Sequence, residues 1–273
     1  MTDLRVAIAG AAGRMGQANA RAVAATDGLV LHSAFDRPGS DAIGRDIGEL
    51  AGLGGTGVTV GDNAEDALDG ADVLIDFTAP AVSVLLSELA APRGLVHVIG
   101  TTGCSREEDW SIQKAGSAGA RIVKSGNFSL GINVLLGLVR QAAKALPGFD
   151  VEVLEMHHNK KVDAPSGTAL MLGQAAADGR GVELEGHAVK VRDGHTGARP
   201  AGSIGFATLR GGGVVGEHSV ILAGETERIV LSHSAQDRGM FAAGAVQAAL
   251  WAADQPPGFY SMADVLGLNG SNQ

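Results

Sequence analysis

Leu4-Arg5-Val6-Ala7-Ile8-Ala9-Gly10-Ala11-Ala12-Gly13-Arg14-Met15-Gly16 decides how the first half of the chain folds. Residues 4–9 are a short apolar run that stops at a glycine, the pattern of a buried strand. Residues 14–25 are helix formers with Gly16 as the one breaker, and Leu29-Val30-Leu31-His32-Ser33-Ala34-Phe35 is strand-like again. Strand, helix and strand within about 30 residues make a βαβ unit, which requires a parallel sheet.

The alternation continues downstream. Asp72–Phe77 reads as a strand, 80–91 as a helix opening at Pro80, and Val96-His97-Val98-Ile99 as a strand. Residues 105–118 read as a helix with Ser105 at the N-cap and Glu108 at capping-box spacing, followed by the short strand Arg121-Ile122-Val123. This predicts a Rossmann-type, doubly wound parallel sheet with helices on both faces. Beyond about residue 128 the pattern changes. A helix near 133–146 leads into Val151–Met156, whose alternation suits a strand with one wet face. A helix over 167–177 follows, then strand-like stretches at 187–193, 203–210, 214–222 and 226–234, and a last helix over 241–253. The second region is predicted to be α+β, with a mixed, largely antiparallel sheet.

Composition narrows the function. Thirty acidic against 21 basic residues give a net charge of −9, so a global electrostatic footprint for nucleic acid is absent. The one cysteine, Cys104, excludes an internal disulfide and a multi-cysteine metal site and fits a reducing compartment. No apolar run reaches the ~18–20 residues of a membrane span, and no basic leader precedes the first strand, so a cytoplasmic enzyme is expected. Glycine fills 41 of 273 positions without a Gly-X-Y period, which points to many tight turns and close backbone approaches.

The glycines at 10, 13 and 16 sit where the first strand turns into the first helix. There the backbone can approach a pyrophosphate, and helix N–H groups can hold its charge. The spacing is G-x-x-G-x-x-G, with Ala12 where a second glycine would fall in the standard fingerprint. Asp36 ends the next strand, placed to accept bonds from ribose hydroxyls. Arg37 follows as either a partner for a 2′-phosphate or a solvated loop arginine. Gly100-Thr101-Thr102-Gly103 and Ser125-Gly126-Asn127-Phe128 each follow a strand at the ligand-binding edge of such a sheet. Either they line a nicotinamide and its ribose or they are ordinary turns. Cys104 has no basic partner nearby and reads as a plain thiol rather than a nucleophile.

Six of the eight histidines fall in the second region, and its densest polar run is Glu155-Met156-His157-His158-Asn159-Lys160-Lys161-Val162-Asp163-Ala164-Pro165-Ser166-Gly167-Thr168. Adjacent histidines in an extended segment point to opposite sides, so they are poor joint zinc ligands, and no metal centre is expected. They suit proton transfer and anion binding. The lysines add positive charge, and Ser166-Gly167-Thr168 opens a helix whose N–H groups can hold a carboxylate. The competing reading is an exposed basic loop with an ordinary serine cap.

With these motifs in view, the chain resembles the dihydrodipicolinate reductase family of lysine and diaminopimelate biosynthesis. The resemblance rests on Gly10 with Gly13-Arg14-Met15-Gly16, Ile75-Asp76-Phe77-Thr78, Gly100-Thr101-Thr102-Gly103, Asn127-Phe128-Ser129, and above all Glu155-Met156-His157-His158 with Lys161-Val162-Asp163-Ala164-Pro165-Ser166-Gly167-Thr168. Gly194-His195-Thr196-Gly197, Ile204–Thr208 and Val215-Gly216-Glu217-His218 extend it. It implies a dinucleotide-binding domain over 1–128 with 240–273, and a substrate-binding and tetramerisation domain over 129–239. It further implies that Gly10, Ala11, Ala12, Gly13, Arg14 and Met15 hold the pyrophosphate of NADH or NADPH, and that Asp36 and Arg37 read the cofactor's ribose. Gly100, Thr101, Thr102, Ser125, Gly126, Asn127 and Phe128 would line the nicotinamide side. His157 would donate and accept the proton, with Lys161 as a proton donor; His158, Gly167 and Thr168 would bind the carboxylates of a small cyclic dicarboxylate. Ala12, Asp36 and Ser125-Gly126 depart from the common family pattern, which bears on cofactor choice rather than on the reaction. Two alternatives remain: another two-domain dehydrogenase of amino-acid metabolism, and a nucleotide-sensing binding protein. A sensor has no need of the histidines and lysine of 155–168.

Overall fold

The computed structural model describes residues 2–269. The chain divides into two compact units, one running to Leu130 and resuming at Gly239, the other spanning Gly131–Arg238.

The first unit runs β1 (Leu4–Ala9), α1 (Arg14–Ala24), β2 (Leu29–Phe35), α2 (Ile47–Ala51), β3 (Val60–Gly61), α3 (Ala64–Leu68), β4 (Val73–Asp76), α4 (Pro80–Ala90), β5 (Val96–Ile99), α5 (Arg106–Ser117) and β6 (Arg121–Lys124). The second unit takes up α6 (Leu130–Ala145), β7 (Asp150–His157), α7 (Gly167–Arg180), α8 (Leu184–His187), β8 (Ala188–Val189), β9 (Ile204–Arg210), β10 (Gly216–Ala223) and β11 (Arg228–Ala235). The chain then returns to the first unit with α9 (Gly239–Ala253), β12 (Gly258–Tyr260) and α10 (Met262–Val265).

The first sheet has seven strands in the order β12-β6-β5-β4-β1-β2-β3, paired in parallel throughout. Alternation along β1 fills two cores. Val6 and Ile8 meet Ala20 and Val23 of α1 and the alanines of α9 on one face. Ala7 and Ala9 share the other core with Leu86 of α4 and Ile112 of α5. Each such fully buried Ile or Leu contributes about 1.5–3 kcal/mol by leaving water. In α9, Gly244 permits close contact, since a Cβ there would stand 1.8 Å from the Phe128 carbonyl oxygen. The strand order reverses between β1 and β4, so a crevice opens beyond their carboxyl ends, where Gly10 and Phe77 lie.

The second unit is a five-stranded sheet in the order β11-β10-β7-β9-β8. It is mixed, with parallel pairing a larger share than its alternation suggests: β10 pairs antiparallel with β7 and β11, whereas β9 pairs parallel with β7 and β8. Helices α6 and α7 cover one face, where Ile132, Val139 and Leu172 pack on Val151, Val153, Ile204 and Val220. Register places Leu154, Leu209, Ile221 and Val230 on the opposite face, with Leu209 and Val230 about half exposed. The stretch 187–193 departs from the expected strand: α8 reaches His187 and only Ala188–Val189 pair. Beyond them, glycines at positive φ (194, 197 and 202) break the ladder, and Arg192 and Arg199 tie the loop to Glu152.

Candidate active site

In the first unit, β1 ends at Gly10 with φ +69°, left-handed backbone that favours glycine. Helix α1 starts so close beneath it that a Cβ on Gly16 would lie 2.2 Å from the Gly10 oxygen. Gly13, at the N-cap, supplies no side-chain acceptor, and the first turn carries no acid. The positive end of α1 is thus left to an outside anion. Asp36 closes the loop from the side: its Oδ2 accepts from the Ala12 N–H at 2.7 Å and its Oδ1 from the Arg37 N–H at 2.8 Å.

A cavity of about 1030 Å³ opens here, lined by Gly10, Ala12, Gly13, Asp36 and Arg37 and walled by Phe77, Thr78 and the apolar side of α4 at Val82, Leu85, Leu86 and Leu89. An uncapped helix end, a glycine cradle, a carboxylate at ribose distance in sequence and an apolar wall together fit a dinucleotide. Ala11 is buried behind the loop, and Ala11, Arg14, Met15, residues 100–102 and residues 125–128 are not in the cavity lining. Gly100 is bare because Phe77 fills the space its Cβ would need, 2.1 Å away. Phe77 in turn stacks at 5.6 Å on Phe128. Ser125 and Asn127 bond to each other across a turn, and Thr102 is exposed.

Thr101 points inward. Its hydroxyl accepts from the Thr78 N–H at 3.0 Å and from Ser83 at 2.8 Å. Both groups also bond Asp76, a fully buried carboxylate 3.4 Å from Nε2 of the equally buried His97. Burial alone would raise the Asp76 pKa, but the nearby His97 and the hydrogen bonds from Ser83 and Thr78 hold it below the ordinary carboxylate range. This network fixes the two loops after β4 and β5. An acid closing the apolar run Val73-Leu74-Ile75 was the signal available for it.

In the second unit, β7 carries its core face from Val151 and Val153 on to Glu155 and His157, so apolar packing gives way to a polar cluster where α7 begins. Glu155 is buried, and it accepts from His157 Nδ1 at 2.5 Å, from Arg210 Nη1 at 2.8 Å and Nη2 at 3.1 Å, and from the Ser166 N–H at 3.0 Å. Burial pushes its pKa up, and the Arg210, His157 and Ser166 bonds together pull it below the usual value. Ser166 also caps α7 through Ala169 N–H and meets His218 Nε2 at 3.1 Å. The His218 ring sits edge-on to His157 at 5.1 Å, and its burial, with the nearby His157, lowers its pKa to about 4. A Cβ at Gly216 would come within 3.1 Å of His157 Nε2, so glycine leaves that nitrogen open.

The other expected residues sit around this cluster. His158 turns away from Glu155 to Arg238, whose Nη2 is 3.4 Å from its Nε2; partial burial and that cation lower its pKa. Lys161 is paired with Asp163 at 2.7 and 2.9 Å. Gly167 and Thr168 open α7. Sequence reasoning assigned no role to Arg210, His218 or Arg238: register brings Arg210 of β9 to Glu155 and His218 of β10 to Ser166, and Arg238, beyond β11, meets His158.

Comparison with known proteins gives a consistent result. The family described as dihydrodipicolinate reductase, N-terminus, matches residues 4–128, and its C-terminus counterpart matches 131–266. A 4-hydroxy-tetrahydrodipicolinate reductase of Rhizobium rhizogenes is 63% identical over 268 residues, covering 97% of each chain. One of Allorhizobium ampelinum is 62% identical over 268 residues, covering 97% of this chain and 99% of the relative. Among solved structures, a dipicolinate-bound dihydrodipicolinate reductase from Paenisporosarcina shares the fold with a TM-score of 0.78 at 24% identity, over 96% of this chain and 99% of that one.

Proposed function

The chain belongs to the dihydrodipicolinate reductase family, and from that premise we propose that it reduces 4-hydroxy-tetrahydrodipicolinate to tetrahydrodipicolinate with NADH or NADPH. The observation that carries the reading is the pair His157–Glu155: an imidazole anchored at Nδ1 by a buried carboxylate, its Nε2 kept open by Gly216.

Gly10, Ala12 and Gly13 with the start of α1 would hold the dinucleotide, and Asp36 its ribose. Loss of the 4-hydroxyl as water leaves a conjugated imine whose C4 is electrophilic, and a reduced nicotinamide, when bound, would supply a hydride to that carbon. The resulting enamine must gain a proton on carbon. Glu155 holds Nδ1–H and orients the His157 ring so that Nε2 faces outward; from the doubly protonated ring Nε2–H would hand over that proton, a contribution typically worth ~10²–10⁴ in rate. The substrate's carboxylates would be met by His158 beside Arg238 and by Gly167 and Thr168 at the N-terminal end of α7. Lys161 would exchange its Asp163 partner for a substrate carboxylate and serve as a second proton donor. His218 stays neutral at physiological pH and supports Ser166 from behind.

No helix among the described residues is long and apolar enough to cross a membrane; with a soluble substrate and cofactor, this supports a cytoplasmic site of action. The open face of the second sheet, with Leu154, Leu209, Ile221 and Val230, would assemble a homotetramer.

The test is NAD(P)H oxidation with substrate generated in situ from pyruvate and aspartate semialdehyde by its synthase. Substrate-dependent loss of NAD(P)H absorbance is expected. A protein that binds cofactor but shows no such loss would refute the substrate assignment.

A further inference from the structure

Arg210 ends β9 directly across from His157 of β7. Period-two alternation puts Glu155 and His157 on one face of β7, and Arg210 shares that face. Its guanidinium makes a fork on the buried carboxylate, Nη1 to Oε2 at 2.8 Å and Nη2 to Oε1 at 3.1 Å. Nη2 also donates to the Asp163 carbonyl at 2.6 Å. The Asp163 side chain in turn holds the Lys161 ammonium at 2.7 and 2.9 Å. One side chain therefore joins the carboxylate behind His157 to the backbone of the loop that carries Lys161. We infer that Arg210 is a positioning residue for both proposed proton donors, setting His157 through Glu155 and Lys161 through Asp163; the inference rests on the acid–base reading of these two residues.

Burial makes the guanidinium necessary. The Glu155 side chain is 1% exposed, and a carboxyl shut away from water without a cation takes up a proton. A protonated Glu155 would lose the charge that supports an imidazolium at His157. Burial works against ionisation of Glu155, and the Arg210 bonds are the largest influence opposing it, ahead of those from His157 and Ser166. The other elements around the pair bring no permanent cation into contact with Glu155. His218 of β10, with His233 of β11 beyond it, is neutral near pH 7, and α7 presents Ser166. The buried side of α6 is Ile132, Asn133, Leu135, Val139 and Ala143, while His158 faces Arg238 and Lys161 faces Asp163. The loop gives a second, independent reason. It is tied near one end by Asn159 N–H to Gly212 O at 3.3 Å and at the other by Ser166 N–H to Glu155 at 3.0 Å. Val162 is 98% exposed, so its side chain does not hold the stretch. The Arg210 bond to Asp163 O falls between those two ties and sets the backbone beside Lys161.

The test compares the full chain with its Arg210→Met and Arg210→Lys variants, measuring kcat and KM for the substrate against pH, and NADH affinity. Arg210→Met removes the charge, and kcat should fall about tenfold or more. The acid limb of its kcat/KM profile should also move up by about one pH unit or more, because Glu155 then takes up its proton earlier on acidification. Arg210→Lys keeps the charge, but an ammonium cannot make the fork and reach Asp163 O together. Its acid limb should stay where the wild type has it, while KM for the substrate rises about fivefold or more. NADH affinity should be unchanged in both, and hydrogen exchange over β7 and β10 reports whether the second unit is folded. An acid limb of Arg210→Met that coincides with the wild type, or a wild-type KM in Arg210→Lys, overturns the inference. Should Arg210→Met not fold, Arg210→Lys decides alone: a raised KM supports the role and an unchanged KM overturns it. A wild type that binds NADH but shows no substrate-dependent oxidation refutes the proposed reaction, and the role of Arg210 falls with it.

Discussion

His218 gives the second unit a calculable sensitivity to acid. Its ring is 5% exposed, bonds Ser166 through Nε2, and has no partner for Nδ1 among the described residues. Burial is the main reason its pKa falls from 6.5 to about 4, with His157 and His233 opposing its charge and Glu155 favouring it. A depressed histidine pKa means the native protein binds fewer protons than the unfolded chain between those two values. Stability is therefore complete above pH 6.5 and declines as pH falls toward 4. A difference of about 2.5 units corresponds to roughly 3 kcal/mol, of which about 2.5 kcal/mol is lost by pH 4.5. Hydrogen exchange of peptides spanning β7 and β10, corrected for the intrinsic rate, reads the opening free energy of this sheet at pH 7.0 and 4.5. His218→Gln removes the titration while keeping a polar group near Ser166. Whatever its stability at pH 7.0, the variant should lose about 2.5 kcal/mol less than the wild type on acidification. Parallel losses in the two proteins would show that His218 takes up its proton in the folded state, and the reasoning would fail.

Other expectations follow from the same geometry. Gly16→Ala forces a Cβ to within 2.2 Å of the Gly10 oxygen; it should cost about 1–3 kcal/mol and weaken NADH binding, and an unchanged Tm and Kd would contradict the close approach. His157→Gln should lower kcat by about 10²–10⁴ with NADH affinity retained. Glu155→Gln should approach the same loss, because a neutral amide no longer offsets the positive charge of a ring that must carry the Nε2 proton it gives up; full activity would remove the pair from the mechanism. Val230→Asp places a charge on the open sheet face, and sedimentation should show smaller species; an unaltered assembly would move the interface elsewhere.

Short-range pattern carried the first unit. The β1 run, the glycine loop and Asp36 lie within one βαβ unit, and local sequence sets both the strand ends and the handed crossover that brings Asp36 to Ala12. Elements as short as α2, α3 and β12 show no periodicity in five residues or fewer; α2 and α3 are signalled only by their caps, Asp46 and Asn63. The stretch 187–193 has the composition of a strand but lacks a partner beyond Val189, and pairing is a property of the sheet rather than of the run.

By itself, then, the sequence determined the parallel sheet, the glycine loop and the polar segment 155–168 for which the acid–base role is proposed, since each depends on neighbours in the chain. Only the tertiary structure decided what those residues can do. Arg210 of β9 and His218 of β10 reach Glu155 and Ser166 because register aligns them across β7. Lys161, unencumbered in the sequence, is already paired with Asp163. Charges and hydrogen bonds act over a few ångströms, and it is folding that decides which groups lie within that distance.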